Sequence, residues 1–174
     1  MDLSAAAALL QIAGLPLHPL LVHVTVVLTP LTALALGVSA VWPAARRRLG
    51  LALPLASVLV ALLVPVTVLA GEALAHVVGR TASVQRHEEL GLVLVPWAVS
   101  MVPASLLVWG SDRLQRTARR SRDAVDAHRL AGNRRMLLTA WAIGFLGVAC
   151  AAGTLIVVVL TGDAGARAVW EGVV

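Results

Sequence analysis

The sequence predicts an all-α integral membrane bundle of four transmembrane helices, and three observations carry that prediction. The first is composition. Of 174 residues, 59% are apolar and only 13% are charged, whereas a soluble domain carries roughly a quarter charged residues. The second is the length of the apolar stretches, which run over about 17–42, 49–70, 90–109 and 136–160. Each holds about 20 residues or more, enough to cross a hydrocarbon core of roughly 30 Å as helix. The stretches are continuous rather than alternating, and open sheets cannot satisfy their backbone in lipid, so strands are excluded. The third is the placement of the arginines. Three lie in the loop after the first span and eight in the loop after the third, with three elsewhere. Eleven against three predicts that both loops are cytoplasmic and both termini non-cytoplasmic. Trp42, Trp109 and Trp141 then fall at the cytoplasmic helix ends, as interfacial tryptophans do. The expected location is a bacterial inner membrane, crossed several times.

Taken in order, residues 1–14 open the chain with Asp2 in place of a positive n-region, so a short interfacial helix is expected there rather than a signal peptide. Residues 15–174 then form a single four-span domain. Prolines 30, 54, 65, 96 and 103 interrupt the spans, with Thr29, Thr32 and Thr67 near enough to satisfy the carbonyls they free. The fourth span carries two pairs of small residues four apart, Gly147 with Ala151 and Ala149 with Gly153, a pattern that permits close helix contact. Segment 111–135 mixes eight arginines with three aspartates and reads as a solvated, cytoplasmic helical extension, with His128 in it. No internal repeat is evident. The single cysteine, Cys150, sits in an apolar run and reads as a small buried hydrophobe. The net charge of +5 is explained by the loop arginines, so nucleic acid is not an expected partner.

Ionisable side chains gather at the end opposite the arginine loops. At 1.5 Å per residue, His23 lies roughly 28 Å and His18 roughly 36 Å from Trp42, His87 roughly 33 Å from Trp109, and Asp163 roughly 33 Å from Trp141. Glu72 reaches the same level on the second span, with His76 one turn beyond. Imidazole suits zinc, copper, iron and haem, and carboxylates complete or orient such a shell. Polar residues at helix ends also meet water, which is a sufficient reason for His18, Glu72, His76 and Glu88. His23 is different, because it stands more than one turn inside the apolar run, where an ionisable group is costly and usually faces a bundle interior. The expected ligands of a haem b or transition-metal site are therefore His23 and His87, with His18 and Asp163 as supporting or alternate ligands. A proton path through His23, Thr25 and Glu72 is a further reading, and a cofactor-free scaffold subunit another. No nucleophilic triad, phosphate loop, CxxC or HExxH is present, so enzymatic activity is not expected.

The motifs "GLPLHPLLVH" with His18 and His23, "HEELG" with His87 and Gly91, and "TGDAGARAVWEG" with Gly162, Gly165 and Trp170 occur in an order that resembles the bacterial membrane family called domain of unknown function 2231. The resemblance covers Leu15 to Trp170. Many members carry histidine in the last motif where this chain has Asp163, and Phe-Pro where it has Val24-Thr25. It implies a multi-span membrane domain. Some relatives are joined to Rieske-type iron–sulfur domains, which implies redox work with a separate Rieske-type partner here, in a chain that could also form a homo-oligomer.

Overall fold

The computed structural model describes residues 11–12, 15–122 and 130–170, with side chains over 17–114 and 137–170. Five helices follow one another: α1 (Leu17–Val41), α2 (Pro43–Leu49), α3 (Ala52–Val78), α4 (Ala82–Arg122) and α5 (Leu130–Trp170). Four of them contain stretches long and apolar enough to cross a membrane. Before α1, Gln11–Ile12 pairs antiparallel with Leu15–Pro16. The interfacial helix expected over residues 1–14 lies largely outside the described residues, and its described part is extended. Helix α4 reaches Arg122 and α5 resumes at Leu130, in line with a helical extension of the basic segment; His128 lies outside the described residues.

At the other end the helices are longer than hydropathy alone implies. Residues 71–89, between the second and third expected spans, are almost all helix, and α3 and α4 are separated by Gly79, Arg80 and Thr81 alone. Gly79 adopts φ +93°, a left-handed conformation that suits glycine at a helix C-terminus. The first spanning helix ends at Val41 because Trp42 is extended ahead of Pro43, whose ring starts α2. Prolines inside the spans leave the helices continuous. The threonines do not serve them as expected: Thr32 and Thr67 donate to the carbonyls of Leu28 and Leu63, whereas Pro30 and Pro65 free those of Val26 and Ala61.

The spans pack in a ring, α1 against α3, α3 against α4, α4 against α5 and α5 against α1, so α1 and α4 face each other across the diagonal. Large apolar side chains such as Leu31, Leu62, Phe145 and Val159 are exposed, while Ala33, Ala98, Ala104 and Ala151 are buried. A soluble protein would not expose so much apolar surface. A membrane protein does, because lipid is as apolar as leucine and helix contact depends on small residues. Gly147 and Ala151 fulfil that role against α1: a Cβ at Gly147 would lie 2.9 Å from Ala40 Cβ, and one at Gly37 would lie 3.3 Å from Ala151 Cβ. The other small pair divides, with Ala149 exposed and Gly153 lying under the indole of Trp97. Cys150 is buried, as expected, 3.2 Å from the Ser100 hydroxyl.

Arg46 ties the arginine-rich end together. Its guanidinium donates to the carbonyls of Ser39 (2.9 Å) and Ala40 (2.7 Å) at the end of α1, and to the Ser111 hydroxyl of α4 (3.3 Å). Partial burial lowers its pKa from the usual arginine value, and the charge of Asp112 opposes that shift. A cation over the last carbonyls of a helix satisfies orphan acceptors and complements the dipole. Arg46→Ala is expected to cost about 1–2 kcal/mol of stability, read as a lowered thermal midpoint of the detergent-solubilised protein. Arg47→Ala, one residue along, should leave that midpoint nearly unchanged.

Candidate functional site

Each diagonal helix delivers one histidine to the bundle axis at the end opposite Arg46. On α1 the inward residues are Thr25, Thr29, Thr32 and Leu36, all buried. His18 precedes Thr25 by seven residues, two full turns, and so lies on that same face. On α4, His87 precedes Leu94 by seven, and Leu94, Ala98 and Met101 are buried in the core. The two imidazoles meet edge to face, with ring centres 6.1 Å apart and planes at 82°.

The histidines are held in equivalent ways by the remaining two helices. His18 Nδ1 donates to the Thr67 carbonyl of α3 at 2.9 Å, and His87 Nδ1 donates to the Thr161 carbonyl of α5 at 2.9 Å. A carbonyl only accepts, so Nδ1 carries hydrogen in both rings and Nε2 is left with its lone pair in the neutral form. One turn beyond each threonine stands a glycine. A Cβ at Gly71 would lie 2.8 Å from His18 Cε1, and one at Gly165 would lie 2.9 Å from His87 Cε1. Thr67 with Gly71, and Thr161 with Gly165, thus form two matching clasps on opposite sides of the bundle. Below them, Thr25 and Thr67 share a hydroxyl–hydroxyl bond of 2.9 Å.

The other candidates lie apart from this pair. His23 is exposed, and its Nδ1 donates to the Pro19 carbonyl one turn back on its own helix. The expectation that it faces the bundle interior is corrected: depth in the apolar run did not decide its orientation, because two residues before Thr25 is the opposite face of a helix. Glu72 and His76 are exposed at the end of α3. With His23 and Glu72 on the exterior, Thr25 is the buried member of the expected proton path. Asp163 sits two residues from both Thr161 and Gly165, hence turned away from His87. Its carboxylate accepts from Arg167 Nε at 2.9 Å on the exposed side. Glu88 and Glu89 pair with Arg80 and Arg86 at 3.3 and 3.4 Å. Among the described residues, no three histidine, cysteine or acidic side chains come together as a metal shell.

Sequence reasoning missed Thr67, Gly71 and Thr161 as parts of the site and named Gly165 only as a motif landmark. The signal was the Thr-xxx-Gly spacing, which occurs at matching levels of the second and fourth spans, in "TVLAG" and "TGDAG". Comparison with protein-family models, with curated proteins and with solved structures finds no match.

Proposed function

We propose that this multi-pass membrane protein is an electron-transfer subunit in which His18 and His87 hold haem iron or a transition-metal ion, and that it belongs to the family its motifs resemble. The spacing of the two imidazoles carries the reading. Their ring centres lie 6.1 Å apart on facing helices, within the span over which two imidazoles could hold one metal ion through Nε2 at about 2.0–2.1 Å each. The pair would serve haem iron and a bare transition-metal ion alike. Bonding of each Nδ1 to a backbone carbonyl is the support that ligating histidines normally have, since it fixes the ring and leaves Nε2 to the metal.

When bound, such a group supplies a one-electron couple whose potential follows from its axial ligands and surroundings. The chain's own residues supply the rest. Thr67 and Thr161 hold the rings at fixed angles, Gly71 and Gly165 give them room, and a buried layer that includes Thr25 and Thr29 lies beneath. By the arginine distribution the site faces the non-cytoplasmic side of a bacterial inner membrane. There the exposed rim that includes Glu72 and His76 is available to a soluble redox partner, such as a Rieske-type iron–sulfur protein.

An absorption spectrum and elemental analysis of the purified protein test the proposal. The expected result is a Soret band, or about one equivalent of a transition metal per site. A colourless, metal-free protein isolated from cells supplied with haem precursors and metals would overturn it.

A further inference from the structure

Beneath the histidine pair, the core of the bundle holds a hydroxyl that no other group of the protein satisfies. Among the described residues, Thr29 Oγ1 and Ser39 Oγ are buried without a hydrogen-bond partner. A buried hydroxyl left this way is costly, and a helical threonine can avoid that cost by donating to the carbonyl four residues back. The buried Thr32, Thr67 and Thr154 all do so, to Leu28, Leu63 and Cys150 at 2.8 Å each. Thr29 does not, although it is fully buried on the inward face of α1. One turn nearer the histidines, Thr25 also turns away from its own helix, toward Thr67 Oγ1 at 2.9 Å. Because Thr67 gives its one hydrogen to the Leu63 carbonyl, Thr25 is the donor in that bond, and its oxygen keeps lone pairs. Pro30 lies in the same turn and has no N–H, so the Val26 carbonyl lacks its helical donor.

We infer that this turn of α1 binds one water molecule, held by Thr29, Thr25 and the Val26 carbonyl. Thr25 and Thr29 are four residues apart, so their hydroxyls stand about 6 Å apart along the helix. That is too far for a direct bond and matches two O–H···O bonds of about 2.8 Å in succession. A water between them accepts from Thr29, whose hydrogen has no acceptor in the protein, and donates to Thr25 Oγ1. Its second hydrogen goes to the Val26 carbonyl. Three bonds are the usual complement of a buried water, and ordered water is one means by which a membrane helix tolerates proline. The water extends a run of polar contacts that starts at the His18 ring and passes through Thr67 and Thr25. It needs no metal or haem at the histidines and does not depend on that reading.

Water-to-methyl nuclear Overhauser effects in the full chain, labelled at the threonine methyls and held in nanodiscs, test the inference. Cross-peaks to water are expected at the Thr25 and Thr29 methyls and not at Thr154, which is also buried but bound to the Cys150 carbonyl. In Thr29→Val, which keeps the branched shape and removes the hydroxyl, the Thr25 cross-peak should disappear. Stability supplies an independent sign. A partnerless hydroxyl would make Thr29→Val neutral or stabilising, whereas loss of a bound water should raise the unfolding equilibrium constant about fivefold. The Thr25→Val, Thr29→Val double variant should lose less than the two single losses combined, since both remove the same water. No water cross-peak at Thr29, or a Thr29→Val variant at least as stable as wild type, overturns the inference. Additive losses overturn it too, since Thr29 would then be bonded within its own helix.

Discussion

Gly153→Ala is expected to destabilise the bundle by about 3 kcal/mol, a large effect for a single methyl group. Gly153 lies in the middle of α5, and the added Cβ would overlap Cζ3 and Cη2 of the Trp97 indole. No rotation of the alanine relieves that overlap, because a Cβ has no torsion of its own. The indole must move, and it packs against the buried core that includes Leu94, Ala98 and Met101. Alanine's helix propensity, worth up to about 1 kcal/mol over glycine, offsets a part of the cost. Unfolding of the reconstituted protein would measure the loss. Trp97→Leu identifies its cause: added to Gly153→Ala, it should recover about 1–2 kcal/mol through direct coupling between the two positions. Strictly additive effects would show that the contact is not the source.

Gly71→Ala and Gly165→Ala should have the opposite signature, with little change in stability and a large change in the site. At both positions the nearest atoms to a new methyl belong to an imidazole rather than to the backbone. Either ring can swing away by rotating its side chain, but only by giving up its bond to the Thr67 or Thr161 carbonyl. Loss of such support typically weakens metal binding 10–100-fold. Each variant is therefore expected to lose most of its bound metal or haem while its thermal midpoint falls little, given the offsetting gain in helix propensity. Glycine to alanine at Gly162, where a Cβ meets nothing within 4 Å, is the matched control and should leave the site intact.

These predictions rest on features that differ in how plainly they stand in the sequence. Four spans followed from length and hydropathy, because lipid imposes a fixed crossing distance on every helix. The helix ends did not, since polar residues such as Glu72, Arg86 and Asp163 depress hydropathy without breaking a helix that extends into the head-group region. His87 was legible from its level in the bundle. His18 and His23 were legible as candidates, but depth alone ranked them in the wrong order of burial. The face of α1 ranks them correctly, because His18, Thr25, Thr29, Thr32 and Leu36 form a three-and-four spacing that His23 does not join. The two glycine clasps depend on contacts between helices far apart in sequence, 49 residues for His18 with Thr67 and 74 for His87 with Thr161. A single sequence shows the Thr-xxx-Gly spacing but not which histidine it receives.

His18 and His87, and not His23, are the proposed ligands of the site. Haem and metal content per chain, measured side by side for the wild type and for His18→Ala, His87→Ala and His23→Ala, tests that assignment most directly. Wild type and His23→Ala are expected to be loaded, with near-complete loss in the other two while the bundle stays folded. Loss in His23→Ala together with retention in His18→Ala would contradict it.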